Sequence, residues 1–141
     1  MGQWRNDIAE ALRKLLAASL KAWTWDTRPS QLVDYAGSTT VGAIVPGISR
    51  LVIEESETDG DRCIDLDLLI GIGAKGADDD ERIRNLGDAF DDCESAIWTA
   101  TAPGSFMDTY NIDQVTGINC QPGDIAGVGV ITLTLRLFRS A

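Results

Sequence analysis

Apolar and polar residues alternate most clearly between Cys63 and Ile72. Ile64, Leu66, Leu68, Ile70 and Ile72 fall on one side of the alternation, and Cys63, Asp65, Asp67 and Leu69 on the other. Successive side chains of a strand point to opposite faces, so this pattern predicts a strand in a sheet buried on one side only. The same period recurs from Val128 to Phe138, where Ile131, Leu133, Leu135 and Leu137 oppose Val130, Thr132, Thr134 and Arg136. Shorter strands are predicted at Val41–Val45, ended by Pro46-Gly47, at Ile48–Glu55 and at Val115–Cys120. Thr58-Asp59-Gly60-Asp61 reads as a hairpin reversal, because Asp-Gly suits positive φ. Gln121-Pro122-Gly123-Asp124 reads as a second turn.

Two stretches follow the helical period instead. Ile8, Leu12, Leu15, Leu16, Leu20 and Trp23 form one apolar stripe, with Asn6 or Asp7 as the cap and Pro29 as the stop. Ile83, Leu86, Phe90, Cys93 and Ile97 form another, in a helix from about Asp78 to Thr99. Residues 26–40 read as a loop with a turn near Leu32–Tyr35. Phe106 to Asp113, after the Pro103-Gly104 break, reads as a loop carrying exposed aromatics. The order is therefore α-β-β-β-α-β-β. Hairpins imply antiparallel pairing, so the predicted fold is α+β: a mainly antiparallel sheet with two amphipathic helices on one face. At 141 residues the chain is expected to form a single domain, 1–141.

Charge and cysteine usage narrow the function. Twelve Lys and Arg against 22 Asp and Glu give a net charge of −10, and no basic cluster exceeds Arg13-Lys14. Phosphate binding needs cations, so tight nucleic-acid binding is not expected. No apolar run approaches bilayer-spanning length, and the polar start argues against a secretory signal. The three cysteines, Cys63, Cys93 and Cys120, match no disulfide or metal spacing, and a reducing cytoplasm suits them. The absence of histidine removes His-dependent nucleophilic schemes and His-ligated metal sites. No catalytic, metal or cofactor residues are assigned.

Several segments invite sharper readings. Gly71-Ile72-Gly73-Ala74-Lys75-Gly76 has the spacing of a dinucleotide-binding loop. Its preceding strand alternates, however, and the acids at Asp78–Asp80 would repel phosphate, so a strand-to-helix turn is the expected reading. Asp78-Asp79-Asp80-Glu81 could hold a cation, but acids at a helix start cap free N–H groups first. Asp65 and Asp67 share a strand face, which predicts a solvated or acidic surface lining an opening. Trp4 and Trp25 near the first helix, and Phe106, Met107 and Tyr110 in the later loop, are candidate partner contacts, because aromatic residues are enriched at interfaces. Trp23 and Trp98 are expected in the core.

The opening helix Asp7-Ile8-Ala9-Glu10-Ala11-Leu12-Arg13-Lys14-Leu15-Leu16 resembles the start of many phage tail terminator and tail-completion proteins. So do the hairpin Ile48–Ile72, the helix Asp78–Thr99 and the last strand. The resemblance, which extends to the lambdoid minor tail protein, covers nearly the whole chain. It rests on element order rather than on a diagnostic motif. It implies an α+β subunit of a hexameric ring that caps the tail tube, stops its growth and forms the joining surface to the head or neck. The implied partners are further copies of the chain, the tail tube protein and a neck or head-completion protein. DNA would pass through the ring, with Asp65 and Asp67 as an acidic surface facing it. No enzymatic activity and no cofactor are implied. The implied place is the virion tail or neck, assembled in the host cytoplasm. Alternatives are another head-tail connector and, less favoured, a small nucleotide-binding enzyme using Gly71–Gly76.

Overall fold

The structure is a computed structural model that describes residues 3–26, 40–52 and 61–140. The predicted turns near Leu32–Tyr35 and at 58–60, the stop at Pro29 and the strand end at 53–55 lie outside the described residues.

A helix, α1 (Trp4–Ser19), is followed by the strands β1 (Thr24–Asp26), β2 (Val41–Leu51) and β3 (Asp61–Gly73). A long helix, α2 (Asp79–Ala100), and a short one, α3 (Ser105–Thr109), lead into β4 (Ile112–Pro122) and β5 (Val128–Ser140). Among the described residues five strands form one sheet in the order β1-β2-β3-β5-β4. Of the strand pairs among them, β1–β2 is parallel and the others are antiparallel. The fold is α+β. Helix α1 lies over β2, and α2 over β3, β5 and β4.

The alternation builds the core. Leu66, Leu68, Ile70 and Ile72 of β3 pair with Leu135, Leu133, Ile131 and Gly129 of β5, so two apolar rows share one face. Those side chains are fully buried, together with Ile8, Leu12 and Leu16 of α1 and Cys93 and Ile97 of α2. Each buried leucine or isoleucine among them contributes roughly 1.5–3 kcal/mol on leaving water.

The opposite face is not uniformly solvated. Cys63 lies on it by alternation and is fully buried. Val41 and Ala43, which pair with Gly73 and Gly71, form a second, separate buried pair.

Several boundaries differ from expectation. Val41–Val45 and Ile48–Glu55 are one strand as far as Leu51, bent by a bulge between Pro46 and Ser49. Proline lacks an N–H, and a bulge is one of the few places a sheet tolerates it. Helix α1 begins at Trp4, with Gln3 rather than Asn6 or Asp7 at its N-cap, and ends at Ser19. Leu20 and Trp23 continue the apolar spacing but belong to the turn into β1, a strand too short to show a period.

Segment 105–109 is helical rather than a loop, and Phe106 and Met107 are buried in the core cluster. Gly104 opens this helix at φ 140, a conformation that a side chain would strain. The exposed-loop reading therefore fails: the break at Pro103-Gly104 turns the chain so that its next apolar residues fold inward. Trp98 also departs from expectation, at 55% exposed rather than in the core.

Candidate functional site

The strand alternation aims Asp65 and Asp67 away from the helices, and cross-strand neighbours meet them there. Arg136 of β5 donates to both oxygens of Asp65, at 2.9 and 3.3 Å. Arg50 of β2 donates to both oxygens of Asp67, at 3.0 and 3.1 Å, and the Thr134 hydroxyl adds a third bond at 2.7 Å. The Arg50 hydrogen bonds are the main reason that the Asp67 carboxyl sits below its usual range. Asp65 and Asp67 are thus not a bare acidic surface, because an arginine neutralises each of them. The expectation of an acidic lining fails at these two residues.

The glycine-rich segment is explained by packing. Gly71 and Gly73 lie inside β3, paired with both β2 and β5. A Cβ on Gly76 would fall 2.6 Å from the Arg82 backbone nitrogen, so glycine is required where the turn meets α2. At the helix start, Asp78 accepts from the Glu81 N–H at 2.8 Å, while Glu81 accepts from the Ala77 N–H at 3.2 Å. Arg82 pairs with Asp79. These acids act as caps. Among the described residues no group of His, Cys, Asp or Glu could hold a metal ion, and no helix is long and apolar enough to cross a membrane.

The candidate contact residues divide. Trp25 stacks on Trp23, with ring centroids 5.6 Å apart, and lies against Gly42. Tyr110 is half-buried against Phe106. Trp4 is half-buried with two guanidinia over its ring, Arg5 at 4.4 Å and Arg139 at 4.7 Å from the centroid. Arg5 also donates to the Ser49 hydroxyl at 3.1 and 3.2 Å. Arg139 stands directly opposite Arg62 in the β3–β5 ladder. Arg5, Arg62 and Arg139 were not singled out from the sequence, because 134 positions separate the first from the last. A signal was present nonetheless. Arg62 and Arg139 fall on the core side of the alternation, just beyond Ile64 and Leu137, where an apolar residue would be expected.

A second feature lies between α2 and the β4–β5 turn. Ile83, Leu86 and Phe90 face Cys120, Pro122 and Ile125 across a groove of about 560 Å³. Ile83 and Ile125 are 57% and 51% exposed at its lips. Gly87 leaves the helix bare here, with nothing within 4 Å of where its Cβ would stand. The acids Asp91 and Glu94 of α2 act on Cys120, whose thiol burial and then these charges push up. Asp124 lines the groove itself.

No known protein family matches the chain, and no curated protein matches it either.

Proposed function

We propose that the protein is a structural subunit of a phage virion. It assembles as a ring by contacts between copies of itself, caps the tail tube and stops its growth. Its outer surface joins the head or neck. The observation that supports this reading is the order of elements: an opening amphipathic helix, an antiparallel sheet, a long helix across it, and a last long strand. That is the α+β arrangement which the resemblance to tail terminators implies. On this reading the ring has six copies, DNA passes through it, and the partners are the tail tube protein and a neck or head-completion protein. The chain performs no catalysis and needs no cofactor. It works in the virion after assembly in the host cytoplasm.

The test is tail length by electron microscopy in a host whose native copy of the gene is deleted. Overlong tubes that return to normal length on complementation are expected. Normal tubes without the protein would overturn the terminator reading. Normal, headless tubes would instead favour another head-tail connector. The nucleotide-binding alternative is the less supported one, since Gly71 and Gly73 are committed to β3. Calorimetry with ATP, GTP and NAD is expected to show no binding.

A further inference from the structure

Two patches on this molecule match each other and cannot meet within one copy. The first surrounds Trp4. Arg5, Arg62 and Arg139 have no carboxylate partner among the described residues, although the chain carries 22 acids. Arg62 and Arg139 are directly opposed, an arrangement that like charges disfavour. Beside them Leu51, which pairs with Ile64, is 52% exposed. The second patch is the groove of Ile83, Phe90 and Ile125, which Asp124 and Cys120 line and where the charges of Asp91 and Glu94 act on Cys120. None of these three acids has a cation partner among the described residues.

Within one copy the distance is prohibitive. Cys120, beside Asp91 and Glu94, pairs with Ile131. Arg139 lies eight residues further along β5. At the rise of a strand this is about 26 Å, well beyond the reach of an ion pair. The positive patch offers an exposed leucine beside its arginines, and the negative patch offers an apolar groove beside its acids.

We infer that the Trp4–Arg5–Arg62–Arg139 patch of one copy docks on the α2 groove of a second copy, placing its arginines against Asp91, Glu94 and Asp124. The two patches differ, so the contact is heterologous, and each copy keeps one of each patch free to bind the next. Closure of that array into a ring rests on the reading above; the pairwise contact does not. Arginine and tryptophan at its centre suit such an interface. Local charge complementarity has to overcome the repulsion of two copies at −10 each, so the contact needs the apolar groove as well as the ion pairs.

The experiment is sedimentation velocity on the full chain and on two charge-reversed variants, Arg62→Glu and Glu94→Arg. Arg62 is exposed and Glu94 half-buried, and circular dichroism checks folding. Wild type is expected to self-associate. Each variant alone is expected to associate at least about tenfold more weakly, as for truncated charge contacts. An equimolar mixture of the two is expected to recover association, since the intact acidic groove of one variant meets the intact arginine patch of the other. Variants that associate as wild type does, a mixture that stays monomeric, or a wild type that stays monomeric would each overturn the inference. So would binding of duplex DNA lost on Arg62→Glu with self-association unchanged. A contact that passes this test but grows into open chains would leave the inference standing and overturn the ring.

Discussion

Arg50 stands directly opposite Asp65 across the β2–β3 ladder, yet its guanidinium bonds to Asp67, two residues along the same strand. The diagonal leaves Asp65 to Arg136, its direct neighbour on the other side. Three strands are thereby joined by two forked pairs, and the four charges sum to zero. Direct pairing of Arg50 with Asp65 would have placed two arginines on one carboxylate and left Asp67 with only a hydroxyl.

A pH dependence follows from this arrangement. The folded Asp67 carboxyl is held low chiefly by Arg50, against partial burial and with help from Thr134. A lowered folded pKa means stability that is fully present above the unfolded value, near 3.9, and is lost as pH falls toward the folded one. The Arg50 side chain is 48% exposed and Asp67 16%, so screening keeps the pair to about 1 kcal/mol or less. Arg50→Ala is expected to melt below wild type at pH 7, with the gap narrowing below about pH 4. A gap constant across that range in thermal melts would remove Asp67 as the cause.

Phe106 tests the short helix. It is buried in the core cluster and touches Tyr110 at a centroid distance of 5.7 Å. Phe106→Ala should cost roughly 3 kcal/mol, in the range for emptied aromatic sites. For a domain of this size that lowers the melting temperature by roughly 10 °C. Trp98→Ser, at an exposed position, should change stability by less than about 0.5 kcal/mol. Equal melting temperatures for the two variants would contradict the burial of α3.

The register of β5 is tested by adjacent positions. Leu133 is fully buried, opposite Leu68 on one side and Ile118 on the other. Leu133→Asp places an unpaired carboxylate there, at a cost of several kcal/mol that should abolish the cooperative melt. Thr132 lies on the other face, half-exposed, so Thr132→Asp should fold. Greater damage from Thr132→Asp would invert the facing assigned to the whole strand.

The thiols offer a chemical readout of the same packing. Cys93 is fully buried, and burial pushes its thiol up to about 12. Cys120 is half-buried beside the groove and is raised by burial first, then by Glu94 and Asp91. The thiolate is the reactive form, so alkylation at pH 8 should modify Cys120 well before Cys93 in the folded protein. All three cysteines should react together in denaturant. Equal rates at Cys93 and Cys120 under native conditions would refute the buried placement.

The two long alternating strands were readable in the sequence because each keeps its period over ten or more residues with one face buried. Helix α2 was readable for a similar reason, and its start was marked by Asp78 and Glu81, which do cap it. The failures share one cause: a local pattern that tertiary context overrides. Leu20 and Trp23 sit at helical spacing but belong to a turn, and Ile83 sits on the apolar stripe yet lies at the open lip of the groove. Phe106 and Met107 follow a Pro-Gly break, which looks like a loop until the positive φ of Gly104 turns them inward. Asp65 and Asp67 could be placed on one face, but their arginines lie on other strands, and no local signal names a cross-strand partner. The same holds for Arg5, Arg62 and Arg139, which meet only when α1 lies against the sheet.

The last strand in chain order is not at the edge of the sheet: β5 lies between β3 and β4. Asp61 pairs with Ser140 at one end of the β3–β5 ladder and Gly73 with Val128 at the other. During synthesis, therefore, β3 and β4 leave the ribosome with no strand between them, each with a hydrogen-bonding edge that β5 fills in the folded sheet. A nascent chain must carry these open edges until the thirteen-residue β5 emerges. Such non-local closure is slow relative to helix formation. In that interval the open edges invite pairing with neighbouring chains, so crowded expression of this protein should favour inclusion bodies over native subunits, and slower synthesis at lower temperature should reverse the balance.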